Sequence, residues 1–364
     1  KLSGVWIMAY TTIDDPSAYF QATTYTGGGA NTEVTNSGNS DLKPDFLWIK
    51  NRTAAYGHFV VDSNRNISYA QNSSNAPYLE TESTAAENNN QNWMASVNTN
   101  GFTTGISEHI NNNSGSAFVA WQWKANGGTT ASNTDGTITS TVQFNSDAGF
   151  SIQTFTSASS GNSNWGHGLG VTPDVFIVKR RDGTSSWWGH WKGTSRTAGS
   201  GNNWQYMPLN STAAATSLST FKADSTTITT ANDFVPNSAS MLCYAFAEKQ
   251  GYSKFGKYVG NGNANGTFVY TGFKPEFVIV KRSDSANNWI ITDNARGING
   301  ANPRLYADLV DAEGSAADYI DHLSNGFKIR TSAGSMNTSG GTYIYMAFAE
   351  NPFVTSTGIP TTAR

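Results

Sequence analysis

Five histidines, one cysteine and a scatter of carboxylates hold most of the reactive chemistry available to this chain. Their spacing argues against most of it. His58, His109, His167, His190 and His322 never pair with another histidine or with cysteine at the short intervals that grip a metal. Asp62 stands four residues after His58 and Asp318 four before His322, but isolated pairs of this kind arise by chance. No metal or other cofactor is expected. Cys243 lies in the apolar run "SMLCYAFA", with nothing beside it in sequence to lower its pKa, and reads as a buried, inert thiol. A single cysteine forms no intrachain disulfide. "GHGLG" from Gly166 suggests a phosphate loop, yet it precedes a strand where such a loop follows one and opens a helix, so a tight turn is the better reading. No G-x-S-x-G elbow occurs. Glycoside hydrolysis needs two carboxylates across a cleft. Glu80, Glu82, Asp308, Asp311 and Glu313 sit in polar, loop-like stretches and read as solvated surface. The chain is therefore expected not to be an enzyme.

The sharpest cluster is aromatic. "SSWWGHWKG" supplies Trp187, Trp188 and Trp191, and "NNWQYM" supplies Trp204 and Tyr206. Exposed aromatic faces stack on planar or ring-shaped ligands, and these five are the candidate glycan-binding residues, by analogy with base stacking and aromatic hot spots. The competing reading is hydrophobic core. Trp289 and Phe59 stand at comparable places elsewhere in the chain, which puts at least one of the five in a shared core position.

The elements that would position these residues are legible because they recur. "DLKPDFLWIKNR", "GVTPDVFIVKRR" and "GFKPEFVIVKR" place Pro44, Pro173 and Pro275 six residues before Lys50, Lys179 and Lys281. A small-residue motif follows each time ("STAA", "STAA", "GSAA"), then Phe102, Phe234 and Phe327. Each copy closes on a long aromatic run. Ala120, Ala245 and Ala347 lie 76, 72 and 72 residues beyond their prolines. Each copy opens on an aromatic alternation: "YFQATTYTG", "GFSIQTFT" and "GYSKFGKYVG". Period-two alternation predicts strands. The consecutive apolar residues of "FVIV" predict a strand covered on both faces. Asp45, Asp174 and Glu276 follow the three prolines and read as turn-closing or solvent-facing. The expected fold is all-β: tandem β-sandwich, jelly-roll-like modules in three internal repeats. The expected boundaries are 1–18 for an N-terminal segment, 19–125 for the first repeat, 126–147 for a linker plus an extra strand, 148–249 and 250–352 for the second and third repeats, and 353–364 for a C-terminal tail. Each module is expected to bury its own core, so a fragment starting near Thr137 would fold alone.

Composition narrows the setting. Of 364 residues only 13% are charged, 12% are aromatic, and the net charge is -3. That balance gives no reason to expect nucleic acid as a partner. No apolar run approaches the roughly 20 residues of a membrane span, so no membrane insertion is expected. The polar surface must consist mainly of Asn, Ser, Thr and Gly, which hydrogen-bond to water and sugars without the salt sensitivity of exposed ion pairs.

Long motifs carry a resemblance across nearly the whole chain. "DDPSAYFQATTYTGGG", "SDLKPDFLWIKNR", "SNTDGTITSTVQ", "WGHGLGVTPDVFIVKRR", "EKQGYSKFGKYVGNGNANGTFVYTGFKPEFVIVKR" and "GGTYIYMAFAENPF" resemble a family of phage structural proteins from marine viral sequences, associated with tails or tail fibres and carrying a repeated domain of unknown function. The resemblance implies a virion component at the particle surface, made in the host cytoplasm and released by lysis. A tail fibre, spike or other appendage touching host-surface glycans is the first expectation. A capsid-decorating or head-fibre protein, or a non-catalytic lectin-like protein, is the alternative. Its partners would be other virion proteins and copies of itself, a trimer above all. Members of the family begin near "MAYTTID", here at Met8, so residues 1–7 are expected to precede the usual start.

Overall fold

The computed structural model describes residues 10–68, 76–90, 93–111, 114–196, 204–217, 220–297, 299, 303–314 and 319–361. The expected start at Met8 falls outside them. In the N-terminal third run β1 (Phe20–Thr26), β2 (Glu33–Thr35), β3 (Phe46–Asn51), β4 (Phe59–Asp62), β5 (Ala76–Tyr78), β6 (Asn88–Asn90), β7 (Met94–Asn98), β8 (Gly101–Thr104) and β9 (Ala117–Trp123). The middle third holds β10 (Ala131–Asn133), β11 (Ser140–Asn145), β12 (Phe150–Thr156), β13 (Ser163–Gly166), β14 (Val175–Arg180), β15 (Trp188–His190), β16 (Met207–Pro208), β17 (Phe221–Ala223), β18 (Thr227–Thr230) and β19 (Ser240–Phe246). The last third holds β20 (Ser253–Val259), β21 (Phe268–Tyr270), β22 (Phe273–Arg282), β23 (Ile290–Asp293), β24 (Leu305–Tyr306), β25 (Ile320–Leu323), β26 (Gly326–Ile329) and β27 (Thr342–Pro352), with one helical turn, Gly334–Asn337, before the final strand.

The fold is all-β, and its sheets come in facing pairs. The large sheets run β1-β9-β3-β4, then β12-β19-β14-β15-β16, then β20-β27-β22-β23-β24. Their smaller partners run β2-β8-β7, β13-β18-β17 and β21-β26-β25. Every pairing between these strands is antiparallel. The expected extra strand is a hairpin, β10 and β11, which extends the middle sheet by pairing with β12. Ser140 and Val142 face inward as the alternation requires, whereas Phe144 on the same face is 38% exposed.

The long strands are buried on both faces. Along β9, β19 and β27 alternate residues point to opposite sides. Ala120, Cys243 and Ala347 face the small sheet of their own pair. Trp121, Tyr244 and Met346 face one central cluster that all three large sheets share. Its rings meet across the thirds: Phe46 lies 4.5 Å from Tyr244, Phe20 lies 5.2 Å from Phe348, and Phe246 lies 5.9 Å from Phe348. At the middle remains a cavity of about 40 Å³ lined by side chains of all three, among them Trp48, Trp187 and Phe277. Each module does bury a core of its own, and the shared cluster is added to it, so all three depend on a common one.

A fragment beginning at Thr137 removes β1, β3 and β9 and uncovers Tyr244, Phe246, Phe277 and Phe348. We expect it to lack the cooperative urea transition of the whole chain and to bind a hydrophobic dye. A two-state transition of unchanged midpoint would mean that the central cluster is dispensable.

Candidate functional site: the seams and the outer faces

Where one sheet pair meets the next, the same polar devices appear. Lys50, Lys179 and Lys281 are fully buried, a rare state for lysine unless its ammonium is satisfied. Each Nζ donates to a carbonyl of the preceding pair: Lys179 to Thr84 O (3.0 Å), Lys281 to Thr212 O (3.1 Å) and Lys50 to Val310 O (3.0 Å). The last contact joins the third pair back to the first, so the three close into a ring. Burial pushes all three lysines down to about 8. Beside each lysine a ring nitrogen crosses the same seam. Trp187 Nε1 donates to Glu80 O (2.8 Å) and Trp289 Nε1 to Pro208 O (3.1 Å). His58 takes this place in the first pair: its Nδ1 accepts from Trp48 Nε1 (2.8 Å), so Nε2 carries the proton toward Tyr306 O (2.8 Å). Burial pushes His58 down to about 3, which keeps it neutral. Backbone bonds finish the seams: Glu87 N to Arg181 O, Ala215 N to Ser283 O and Glu313 N to Arg52 O, each 2.8 Å.

Two seams add buried ion networks. Asp62 and Arg65 pair at 2.6 Å with both side chains at 0% exposure, and Glu87 joins Arg65 to Arg181. Tyr244 Oη donates to Asp62 from the middle pair (2.7 Å). Between the third and first pairs, Asp293, Arg296, Glu313 and Arg52 repeat the arrangement, and Trp121 Nε1 donates to Asp293 (2.8 Å). In the remaining seam the ion pairs among the described residues, Lys192 and Lys254 with Glu248, are partly exposed and not buried. Asp62 and Asp293 stand opposite Phe46 and Phe277, and at the matching place after His190 comes Trp191, which packs 4.5 Å from Trp289.

These seams decide the aromatic cluster. Trp187 and Trp191 are 1% and 2% exposed in the central core, and Tyr206 is buried in the private core of the middle pair. None of the three offers a face to a glycan, which corrects the expectation. Trp188 is partly buried between Tyr206 and Phe234. Trp204 is partly buried too: Arg196 covers one face at 4.3 Å, and its edge borders a pocket of about 250 Å³ with Lys222, Asp224 and Thr229. The five residues do not form one platform. Trp289 aligns with Trp187 and His58, not with Phe59.

Several acids are also relocated. Glu313 belongs to an ion network, and Asp308 is buried, accepting from Trp289 N (2.9 Å). Glu82 accepts from His58 N (3.1 Å). Burial pushes Glu82 up to about 7 and Asp308 up to about 6. Glu80 is partly buried, 3.5 Å from His109, and of the five only Asp311 is exposed. Asp45 and Asp174 do not close local turns: they accept from Ala125 N and Glu248 N, some 80 and 74 residues along the chain, where the long strand beside them ends. Glu276 instead reaches across a seam to Ala22 N (2.7 Å). The thiol of Cys243 is buried and raised by burial, as an inert core residue should be. His322 is buried against Thr292 and Pro275, and Asp318 lies outside the described residues.

A different aromatic pair faces solvent. In the small sheets the buried middle residues are Val34, Trp165 and Val269. Glu33 and Thr35 flank the first, Asn164 and Gly166 the second, but Phe268 (44% exposed) and Tyr270 (53%) the third. The core does not demand aromatics there, since Glu33, Thr35, Asn164 and Gly166 serve in the other two sheets. Tyr10 fixes Tyr270 through a hydroxyl contact of 3.0 Å. Sequence reading missed this pair because "GTFVYTG" has the same alternation as any half-buried strand.

Comparison with known families bears on the whole assembly. A family model described as a domain of unknown function, DUF7483, matches residues 15–352. The chain belongs to the DUF7483 family. No curated protein and no solved structure matches it. The matched span of DUF7483 takes in all three sheet pairs, every seam lysine and both ion networks.

Two outcomes follow from the seams. Trp191→Ala removes a ring shared by the middle and last pairs and should destabilise the chain by about 3–5 kcal/mol in urea titration. An unchanged midpoint would return Trp191 to the surface. The seam ionisations also set a pH profile. A carboxyl whose folded pKa is raised stabilises while protonated, and that contribution is lost as pH climbs from 4.5 to about 7. A lysine whose folded pKa is lowered costs stability while charged, and the cost fades as pH climbs from about 8 toward 10.5. Below neutrality the raised carboxyls are opposed by His58, His190 and His322, which burial lowers and which gain stability as pH climbs toward 6.5. The clear signal is on the alkaline side, where the urea midpoint should rise between about pH 8 and 9.5 as the three lysines lose the cost of their charge. Lys179→Met should flatten the alkaline rise. A midpoint that stays flat or falls between about pH 8 and 9.5 would contradict the burial of these lysines.

Proposed function

We propose that the chain is a structural protein of a phage virion, an appendage component built from three tandem copies of one β-sandwich module. The observation that supports this best is the closed ring of seams. Three sheet pairs, each with a matching lysine, ring-nitrogen donor and backbone bond to its neighbour, make a rigid three-sided block from a single chain. Appendages are commonly trimeric, and this chain builds three-sidedness internally. Assembly with further copies or with other virion proteins then uses the outer sheets or the ends of the block, because the inner faces are consumed. The largely uncharged polar surface suits work outside a cell, where salt weakens exposed ion pairs. The resemblance of its long motifs to phage tail-associated proteins agrees with this reading, and no catalytic role is proposed.

A second reading, a non-catalytic lectin-like protein, draws on Phe268 and Tyr270. Among the described residues, exposed aromatics at these positions in one small sheet, where the other two carry Glu33, Thr35, Asn164 and Gly166, favour that sheet as the face for a host-surface glycan. The two readings combine in an adsorption appendage.

Immunogold electron microscopy on particles of the parent phage, with antibody to the recombinant chain, tests the proposal. Label at distal appendages is the expected result. Label over the capsid would move the chain to a decorating role. Absence of label from intact and disrupted particles would overturn the virion reading and leave the lectin-like one.

A further inference from the structure

The three seams share one more position, and they treat it differently. It is framed by the acid after each proline, Asp45, Asp174 or Glu276, and by the residue that leaves the long central strand, Ala125, Glu248 or Glu350. Between the middle and last pairs this position holds an ammonium of the chain itself. Lys192 Nζ lies 3.2 Å from Asp174 and 2.6 Å from Glu248, while Glu248 also accepts from Phe255 N (2.6 Å) on the neighbouring edge strand. Between the first and middle pairs the position is covered by the β10–β11 hairpin. Ser63 Oγ sits 2.8 Å from Asp45 and 3.0 Å from Gln143 Oε1, and Asn64 donates to Thr141 O (2.9 Å).

Between the last and first pairs the position is a cleft of about 390 Å³. Glu276 and Glu350 stand where Asp174 and Glu248 stand. As Glu248 does for Phe255, Glu276 accepts from the edge strand, at Ala22 N (2.7 Å). Asn294 follows Asp293 where Lys192 follows Trp191, so the chain brings no ammonium from that strand. Lys274 Nζ pairs with Glu350 at 2.6 Å, and Asn294 donates to the same carboxylate. Lys274 balances Glu350, while burial holds Glu276 toward its neutral form, so the cleft gains a negative charge in excess only when Glu276 ionises. Amides of Asn294, Asn39 and Asn351 line the rest.

We propose that this cleft binds an amino sugar, its primary ammonium set beside Glu276 and Glu350 as Lys192 is set beside Asp174 and Glu248, and its hydroxyls on the asparagine amides. With Glu276 ionised the charge balance favours a cation, and the occupant of the matching seam is an ammonium. The amide lining suits the hydroxyl groups of a sugar better than an aliphatic amine. Glu276 is consistent with this role. Burial raises its pKa, nearby Glu350 and Asp293 raise it further, and the bond from Ala22 N and the charge of Lys274 only partly oppose them. An arriving ammonium favours the carboxylate, so binding should release a proton. This inference is independent of where in a particle the chain sits, and its failure would leave the virion reading untouched.

Isothermal titration of the full chain with glucosamine at mildly acidic pH, in two buffers of different ionisation heat, tests it. Saturable binding with buffer-dependent heat is expected, with glucose and N-acetylglucosamine at least roughly tenfold weaker because they lack the charge-assisted contact. Glu276→Gln and Glu350→Gln should each weaken binding by a similar factor. Asn294→Lys should abolish it while preserving the urea midpoint, by supplying the ammonium from the chain as Lys192 does. No saturable binding of glucosamine, equal binding of glucose, equal binding of putrescine, or full affinity in Asn294→Lys would each overturn the proposal.

Discussion

Each large sheet in this chain has two apolar faces and only one small sheet to cover them. That constraint shapes the rest. A strand such as β14, buried at Val175, Phe176, Ile177 and Val178 in succession, cannot lie at the surface of a lone sandwich. The second face must find another sheet, and three such sheets satisfy one another by closing around a common centre. Hydrophobic burial is non-directional, so it explains the collapse but not the ring. The direction comes from the seams, where polar groups trapped by the collapse must each find a partner.

The seam lysines show how costly groups become specific ones. A buried ammonium is tolerated only with carbonyls around it, and Lys50 Nζ has three, from Asn51, Tyr56 and Val310. Removing any one seam strands a cation. The ion networks behave alike: Arg65 is held by Asp62 and Glu87, and Arg296 by Asp293 and Glu313. The seam built on Trp191 and Trp289 shows that the same geometry tolerates an apolar solution. Burying an ion network in two seams and a pair of indole rings in the third also makes the three joints distinguishable, which disfavours closing the ring in the wrong order.

Once the inner faces are committed, difference between the three pairs can appear only outside. It appears in two places: the aromatic outer face of Phe268 and Tyr270, and the cleft of Glu276 and Glu350. Both lie on the last pair or on its seam with the first. The middle pair is instead the most covered, with an added hairpin at one seam and Lys192 at the other. A block with near-equivalent sides thus presents unequal surfaces.

The sequence by itself determined the strands, their order within each third and the double burial of the proline runs, because these rest on local periodicity and on turn residues. It also marked Lys50, Lys179 and Lys281 as matching positions without saying why they matter. Only the tertiary structure decided that Thr84, Thr212 and Val310 would meet those lysines, since the partners lie in a different third of the chain and no local pattern announces them. The same holds for Trp187 and Trp191. An indole that stacks on a sugar and one that fills a core have the same local sequence, and the difference lies in whether a neighbouring sheet covers the ring. Here one does, because three sheets with two apolar faces each had nowhere else to turn.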